Sequence, residues 1–456
     1  MFRKSAVLHR DLRRDLPVLT KAQGRHCILE NGAKILDAAG GAAVACLGHG
    51  DPRVKEAISR QLDQVAYCAT GFYTTDVCEQ LCQHLVDSTR GQMARVYIVN
   101  SGSEAMEAAI KMARQYHLEK QSPEPSRIRF ISRNRSYHGV TMGALSVGQH
   151  KERRAKFEST LQCNVSSVSP CYAYREKHTG ETDEAYMQRL AEELDREFLR
   201  VGPETVCAFV AEPVSGASLG CVPAVPGYFE AIRAVCDKHG ALLILDEVMS
   251  GMGRTGTLHA WEAEGIVPDI QAIGKGLGAG FVPVSGVLAN QRVVDALQRG
   301  TGVFSHAQTF QGHPISCAAA LEVQRIIQAD NLLANVREMG QELSGLLKRL
   351  LSDHPNVGDI RGKGLFWGIE FVQDKLSKKS FPKEALVAYK MTLLAFTAYG
   401  IQVYPGSGTV DGDVGDHIIL APAYNSTRDE IGVIANTVNR LVHDFFSENS
   451  QKACTA

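Results

Sequence analysis

Long apolar runs, net charge and metal-type cysteine spacing are what this chain does not have. No apolar stretch approaches the roughly 18 residues that a membrane span needs, so a soluble protein is expected. Formal net charge is −1 over 456 residues, which leaves no basic field of the kind that holds nucleic acid. The 12 cysteines contain no C-x-x-C pair. Cys78 and Cys82 fall on one helical face and the rest lie in apolar context. Buried free thiols in a reducing compartment are expected, with no metal and no disulfide framework. The opening MFRKSAVLHRDLRRD lacks the apolar centre of a secretory signal, and Asp11 and Asp15 disfavour a transit peptide. The expected location is the cytoplasm. No internal repeat and no low-complexity segment interrupts the chain.

The remainder is ordinary for a globular protein, with 44% apolar and 22% charged residues. The length favours a large domain and a smaller one. Residues 24–37 (GRHCILENGAKILD) read as a hairpin turning at Asn31-Gly32. Pro52 opens a helix with Val54, Ala57, Ile58 and Leu62 on one face. From residue 95, short apolar runs alternate with longer periodic segments. RVYIV (95–99), IRFIS (128–132), VCAFVAEPV (206–214), ALLIL (241–245) and DIQAI (269–273) read as strands. Helices follow residue 101 and fill 226–239. Such alternation predicts an α/β protein with a mainly parallel sheet covered on both faces. A long helix from 314, strands at 364–372 and 417–422 and a closing helix predict a smaller α/β unit.

Ligands of parallel sheets sit at the carboxyl ends of strands. Chemically loaded turns follow Val99, Ile131, Val210, Leu245 and Ile273, so one site built from several strand ends is expected. Asn100-Ser101-Gly102-Ser103 opens a helix and suits an anion, through free amides and the helix dipole. Plain capping by Ser101 or Ser103 explains it equally. Lys275, set among glycines, is either a buried nucleophile of lowered pKa or a turn lysine. Tyr137 could stack on a planar ligand or simply pack. GMGRTG (251–256) has the G-x-G-x-x-G spacing but follows two acids, Asp246 and Glu247, which would repel a pyrophosphate. A carboxylate ending a buried strand needs a partner. A phosphate cradle, a carboxylate for a protonated ring nitrogen, a stacking ring and a lysine together describe pyridoxal 5′-phosphate.

In LDAAGGAAVACLGHGDPRV, NSGSEAMEAAIKMARQY, SYHG, AEPVSGA, LLILDEVMSGMGRTG, IGKGLGAGFVPVSGV and TFQGHPISCAAA the chain resembles the class III aminotransferases of PLP fold type I, over roughly residues 20–440. The resemblance implies a large PLP-binding domain (49–320) and a small domain from both chain ends (1–48 and 321–456). It implies Lys275 as the Schiff-base lysine and Asp246 as partner of the ring nitrogen. Gly102 and Ser103 would hold the phosphate, Tyr137 and Val248 would cover the ring, and Glu212 would lie near it. Thr309 would reach the phosphate of the neighbouring subunit in a homodimer with shared active sites. The implied reaction moves an amino group from a small-molecule amine or ω-amino acid to a keto acid, through an internal aldimine and pyridoxamine phosphate. Decarboxylation, amino migration or phosphate elimination on the same fold are the alternatives.

Departures narrow the substrate. Members acting on α-amino acids commonly carry an arginine just before a word like LAPP, yet none lies in Ile401–Tyr424. The word GDHIILAP is similar to the amine and ω-amino-acid subgroup. Arg361 is the candidate for an acceptor carboxylate. The acidic loop Tyr404–Asp416, with Phe72-Tyr73, is expected to border the pocket and to suit a cationic or polyhydroxylated amine.

Overall fold

The computed structural model describes residues 5–454, with side chains through 447; residues 1–4 of the charged N-terminal stretch lie outside it. A seven-stranded sheet forms its centre, in the order Arg95–Val99, Ser285–Ala289, Ile270–Ile273, Leu242–Asp246, Val206–Ala211, Arg129–Arg133, Val165–Val168. Six of the seven strands point the same way, five of them as adjacent parallel neighbours from Ile270–Ile273 to Val165–Val168. Ser285–Ala289 is antiparallel to both its neighbours. That strand and Val165–Val168 are additional to the expected set. SGVLA and VSSV carry serine and glycine, which depress strand propensity, and only pairing with neighbours makes them strands.

Strand alternation distributes the core. Along Leu242–Asp246, Leu242 and Ile244 pack with Ala105, Ala108, Ala109 and Met112 of the helix Gly102–Glu119. Leu243 and Leu245 pack on the opposite face, with Leu190, Leu194 and Phe198 of Asp183–Val201 and Phe229 and Ile232 of Tyr228–Lys238. Alanines at the inner face of Gly102–Glu119 let its backbone lie close on the sheet, so the N-terminus of that helix reaches the strand ends.

The C-terminal part has its own antiparallel sheet, ordered Val357–Lys363, Phe366–Phe371, Asp416–Leu420, Tyr404–Ser407. The helices Leu332–Leu351, Val387–Ala398 and Arg428–Cys454 pack on it. The hairpin His26–Leu29/Lys34–Asp37 forms as read, with Gly32 at φ +84, and Leu19–Gln23 adds a third strand. Ile401–Gln402 then pairs in parallel with Lys34–Asp37, which joins the two ends of the chain. The helix Pro52–Gln64 buries Val54 and Ala57, but Leu62 is exposed and Gln61 takes the inner position. Among the described cysteines none is in a disulfide; most are buried, and Cys163 is exposed. No described helix is long and apolar enough to cross a membrane.

One ion pair ties the N-terminal sheet to the loop that follows. His49 Nε2 lies 2.9 Å from Asp37 Oδ2, and the bond to Asp37 raises the imidazole pKa to about 9. A folded-state pKa above the ordinary 6.5 means that this stability is complete below about pH 6.5 and is lost as pH rises through 9. We expect the thermal midpoint to fall across that interval and the fall to be smaller in His49→Gln; equal slopes in scans from pH 6 to about 10 would count against the pair.

Candidate active site

Period-two alternation carries past the end of Leu242–Asp246 and separates the two acids. Asp246 continues the face of Leu242 and Ile244, toward the helix Gly102–Glu119. Its Oδ1 accepts from the Val248 amide at 3.0 Å and its Oδ2 lies 2.8 Å from His138 Nδ1. Glu247 continues the other face. Its carboxylate accepts from the amides of Ala260 (2.7 Å) and Trp261 (2.8 Å) and from Gln271 Nε2 (2.9 Å). It holds the start of the short 3-10 helix Ala260–Glu264 and is spent on structure. Asp246 remains beside a cavity of about 660 Å³.

The cavity lies at the strand ends and is lined by Gly102, Ser103, Tyr137, His138, Glu212, Asp246, Val248 and Lys275, among others. Ser101 caps the helix Gly102–Glu119 in a capping box with Glu104, which leaves the first-turn amides of Gly102 and Ser103 without intrahelical acceptors. A Cβ on Gly102 would stand 2.7 Å from Val248 Cγ1, so a side chain there would close the space between helix and strand end. Ser103 Oγ accepts from the Val140 amide at 3.0 Å, and its hydroxyl proton stays available. That bond, with Thr141 Oγ1 donating to Glu107 at 2.7 Å, fastens the loop carrying Tyr137 and His138 onto the helix.

Lys275 follows Ile270–Ile273 with φ +45, in the left-handed region where non-glycine residues are strained. Burial lowers its pKa, and Asp246 and Glu212 act in the opposite sense. Its ammonium has no ion pair or hydrogen bond among the described residues. Two further buried polar atoms on the cavity wall are unpartnered, His138 Nε2 and Glu212 Oε1. The other Glu212 oxygen accepts from the Gly216 amide at 2.9 Å, and burial raises the pKa of this carboxyl.

Of the residues that the resemblance assigns to the cofactor, Thr309 alone does not line this cavity; it is exposed in a turn. Phe72 and Tyr73 are likewise exposed and away from it. Tyr404 does line it, but the acids beyond Tyr404 do not. Asp413 pairs with Lys383, Asp411 accepts from the amides of Asp413 and Val414, and Asp416 accepts from the Ala388 amide. The expectation that these acids select a cationic amine is therefore corrected: their oxygens are taken up by their own loop and by neighbouring segments. Arg361 is corrected too. It is buried, paired with Asp359 and Glu370, and donates to the carbonyls of Gly220 and Leu219. GMGRTG is a turn with a structural task. Arg254 is buried, donates to the carbonyls of Leu365 (3.0 Å) and Pro422 (2.6 Å), and lies 4.6 Å from the Tyr424 ring centroid.

Two contributors escaped the sequence reading. His138 stands inside the motif SYHG, but only the fold brings it to Asp246. Arg153 sits in the charged run HKERRAK, which reads as a solvated surface, and no local signal distinguishes it. It is half-buried, lines the cavity and lies 4.6 Å from the Tyr137 ring centroid.

The family model for class-III aminotransferases matches residues 9–438. The chain belongs to the class-III aminotransferases. An aminotransferase of Gibberella zeae is 52% identical over 425 residues, covering 93% of this chain and 83% of the relative. An uncharacterized aminotransferase of Schizosaccharomyces pombe is 47% identical, over 93% of this chain and 92% of its own. The crystal structure of an amine transaminase from an uncultivated Pseudomonas species, with PLP bound, superposes with a TM-score of 0.87 at 32% identity, over 97% of this chain and 98% of that one. This aminotransferase therefore has PLP fold type I and uses pyridoxal 5′-phosphate to catalyse transamination. The cavity fits that cofactor by its own chemistry: free helix amides for a dianion, unpartnered polar atoms for ring substituents, and an unpaired lysine.

Lys275→Ala is expected to abolish turnover in a protein whose circular dichroism and elution volume are unchanged. Asp246→Ala should still hold the cofactor, seen by its visible absorbance, yet turn over roughly 10²–10⁴-fold more slowly. Near-normal turnover in either variant would reject the role given to that residue.

Proposed function

We propose that this aminotransferase takes its amino group from an amine or an ω-amino acid and passes it to a keto acid. The observation that carries the donor class is the missing arginine. None lies in Ile401–Tyr424, and Arg361 is locked in buried ion pairs, so the clamp that members acting on α-amino acids carry before the last strand is not offered from either place. The likeness to an amine transaminase of known structure supports the same reading.

The residue roles follow from placement. The amides of Gly102 and Ser103, with Ser103 Oγ, bind the cofactor phosphate at the helix N-terminus. Tyr137 and Val248 line the cavity and keep water from the ring, and Glu212 Oε1 offers an unpartnered oxygen to a ring substituent. PLP, when bound, supplies a sink for the electron pair released at the substrate carbon. Asp246, oriented by His138 and the Val248 amide, holds a proton at the ring nitrogen. Lys275, whose pKa burial lowers, moves a proton at the substrate carbon as base and then as acid.

The working enzyme is read as a homodimer in the cytoplasm. Thr309 is exposed beside Phe310, whose ring lies 6.2 Å from that of Tyr67, and Phe72 and Tyr73 add to exposed aromatic surface. A second copy covering this surface would carry Thr309 to the neighbouring phosphate. We divide the chain into a large domain (49–320) and a small one made of 1–48 and 321–456, in line with the strand pairing that joins its two ends.

A donor screen tests the reading. With pyruvate and 2-oxoglutarate as acceptors, amines and ω-amino acids should be consumed at rates well above α-amino acids, followed by the change in cofactor absorbance. Strong and exclusive use of glutamate would overturn the donor class.

A further inference from the structure

With Arg361 sequestered, the cavity has one half-buried guanidinium to spare. Arg153 comes from the single helical turn Lys151–Arg154, set over the cavity by the preceding helix Met142–Val147. Its neighbour shows what a structural arginine looks like here: Arg154 donates to the carbonyls of Leu145, Ser146 and Gly148 and pairs with Glu158. Arg153 does none of this. Its side chain has no hydrogen bond and no carboxylate partner among the described residues, and its one described contact is the face of Tyr137. Stacking on a ring satisfies the flat face of a guanidinium and leaves its edge, which carries the N–H donors, open. A guanidinium held by a ring, partly withdrawn from solvent and unpaired, is prepared to accept a planar anion in bidentate fashion.

The other charged groups on the cavity wall do not compete for that role. Asp246 is taken by His138 and the Val248 amide, and Glu212 binds the Gly216 amide. Lys275 is the proton carrier. Arg10 also lines the cavity, but from an exposed irregular segment with no contact that fixes it. A carboxylate at Arg10 would have to order the whole side chain, whereas the Tyr137 ring has already restricted Arg153.

We infer that Arg153 binds the carboxylate of the keto-acid acceptor, in place of the arginine missing from Ile401–Tyr424. An amine donor without a carboxylate makes no demand on it. The inference rests on the transamination assigned above and adds a specificity-determining residue to it.

The two half-reactions separate the possibilities. Arg153→Gln is expected to lower kcat/KM of the pyridoxamine-phosphate-loaded enzyme for pyruvate by roughly 10- to 100-fold, mainly through KM. The PLP-loaded enzyme acting on a carboxylate-free arylalkylamine should change several-fold at most. Arg153→Lys should recover part of the loss. Oxamate, a non-reacting analogue of pyruvate, should bind the wild-type holoenzyme in calorimetry and bind Arg153→Gln more weakly, while Arg10→Gln stays near wild type. Equal losses in both half-reactions would show that Arg153 only positions Tyr137. Unchanged use of pyruvate, or unchanged oxamate binding, would overturn the inference outright. If the wild-type enzyme refused amines altogether, the donor class would fall, and the pyruvate half-reaction and oxamate binding would still judge Arg153.

Discussion

The cost of burying Asp246 organises this molecule. A carboxylate at the end of an apolar strand must be compensated by donors, and among the described residues His138 and the Val248 amide are its hydrogen-bond partners. In the proposed holoenzyme the protonated ring of the cofactor would supply the remaining compensation. Each neighbouring element is arranged around that arrangement: the alanine-faced helix that lies close to the sheet, the loop sewn to its first turn by Ser103 and Glu107, and Lys275 in a strained backbone opposite. Adjacent acids show how narrow the condition is. One residue further on, Glu247 lies on the other face, meets three N–H donors and becomes a cap.

The glycine-rich turn after the two acids serves a different constraint. It must let the C-terminal part meet the strand ends without filling the cavity. Arg254 does this by burying its guanidinium among the carbonyls of Leu365 and Pro422 against Tyr424, while Tyr424 Oη donates to the Met252 carbonyl at 3.0 Å. The same words that look like a nucleotide fingerprint are thereby a joint between two sheets. Other side chains reach the cavity wall from outside the strand ends, among them Arg153 and Tyr404.

Much of the fold was legible because its strands are apolar runs bounded by small-residue turns. Leu242–Asp246 and Val206–Ala211 are buried on both faces, and their sequences are correspondingly continuous apolar runs. Ser285–Ala289 was not, because its serine and glycine are strand-forming only between two partners. That Gly102, Ser103, Tyr137, Glu212, Asp246, Val248 and Lys275 would meet at one cavity was legible through their order along the chain and their position at strand ends. Arg361 misled because an arginine beside a strand carries no sign of whether a glutamate awaits it, and Glu370 lies on the paired strand. The acids of the loop Tyr404–Asp416 misled for the same reason: their partners are backbone amides and a lysine from neighbouring segments.

By itself the sequence determined most of the elements, the family the chain belongs to and the residues gathered at the strand ends, because strand periodicity, turn chemistry and motif order are local properties. Tertiary structure alone decided which charges are free. Pairing is a matter of a few ångströms between residues far apart in the chain, so only the fold could bring His138 to Asp246, close Arg361 into a buried network and leave Arg153 open at the cavity edge.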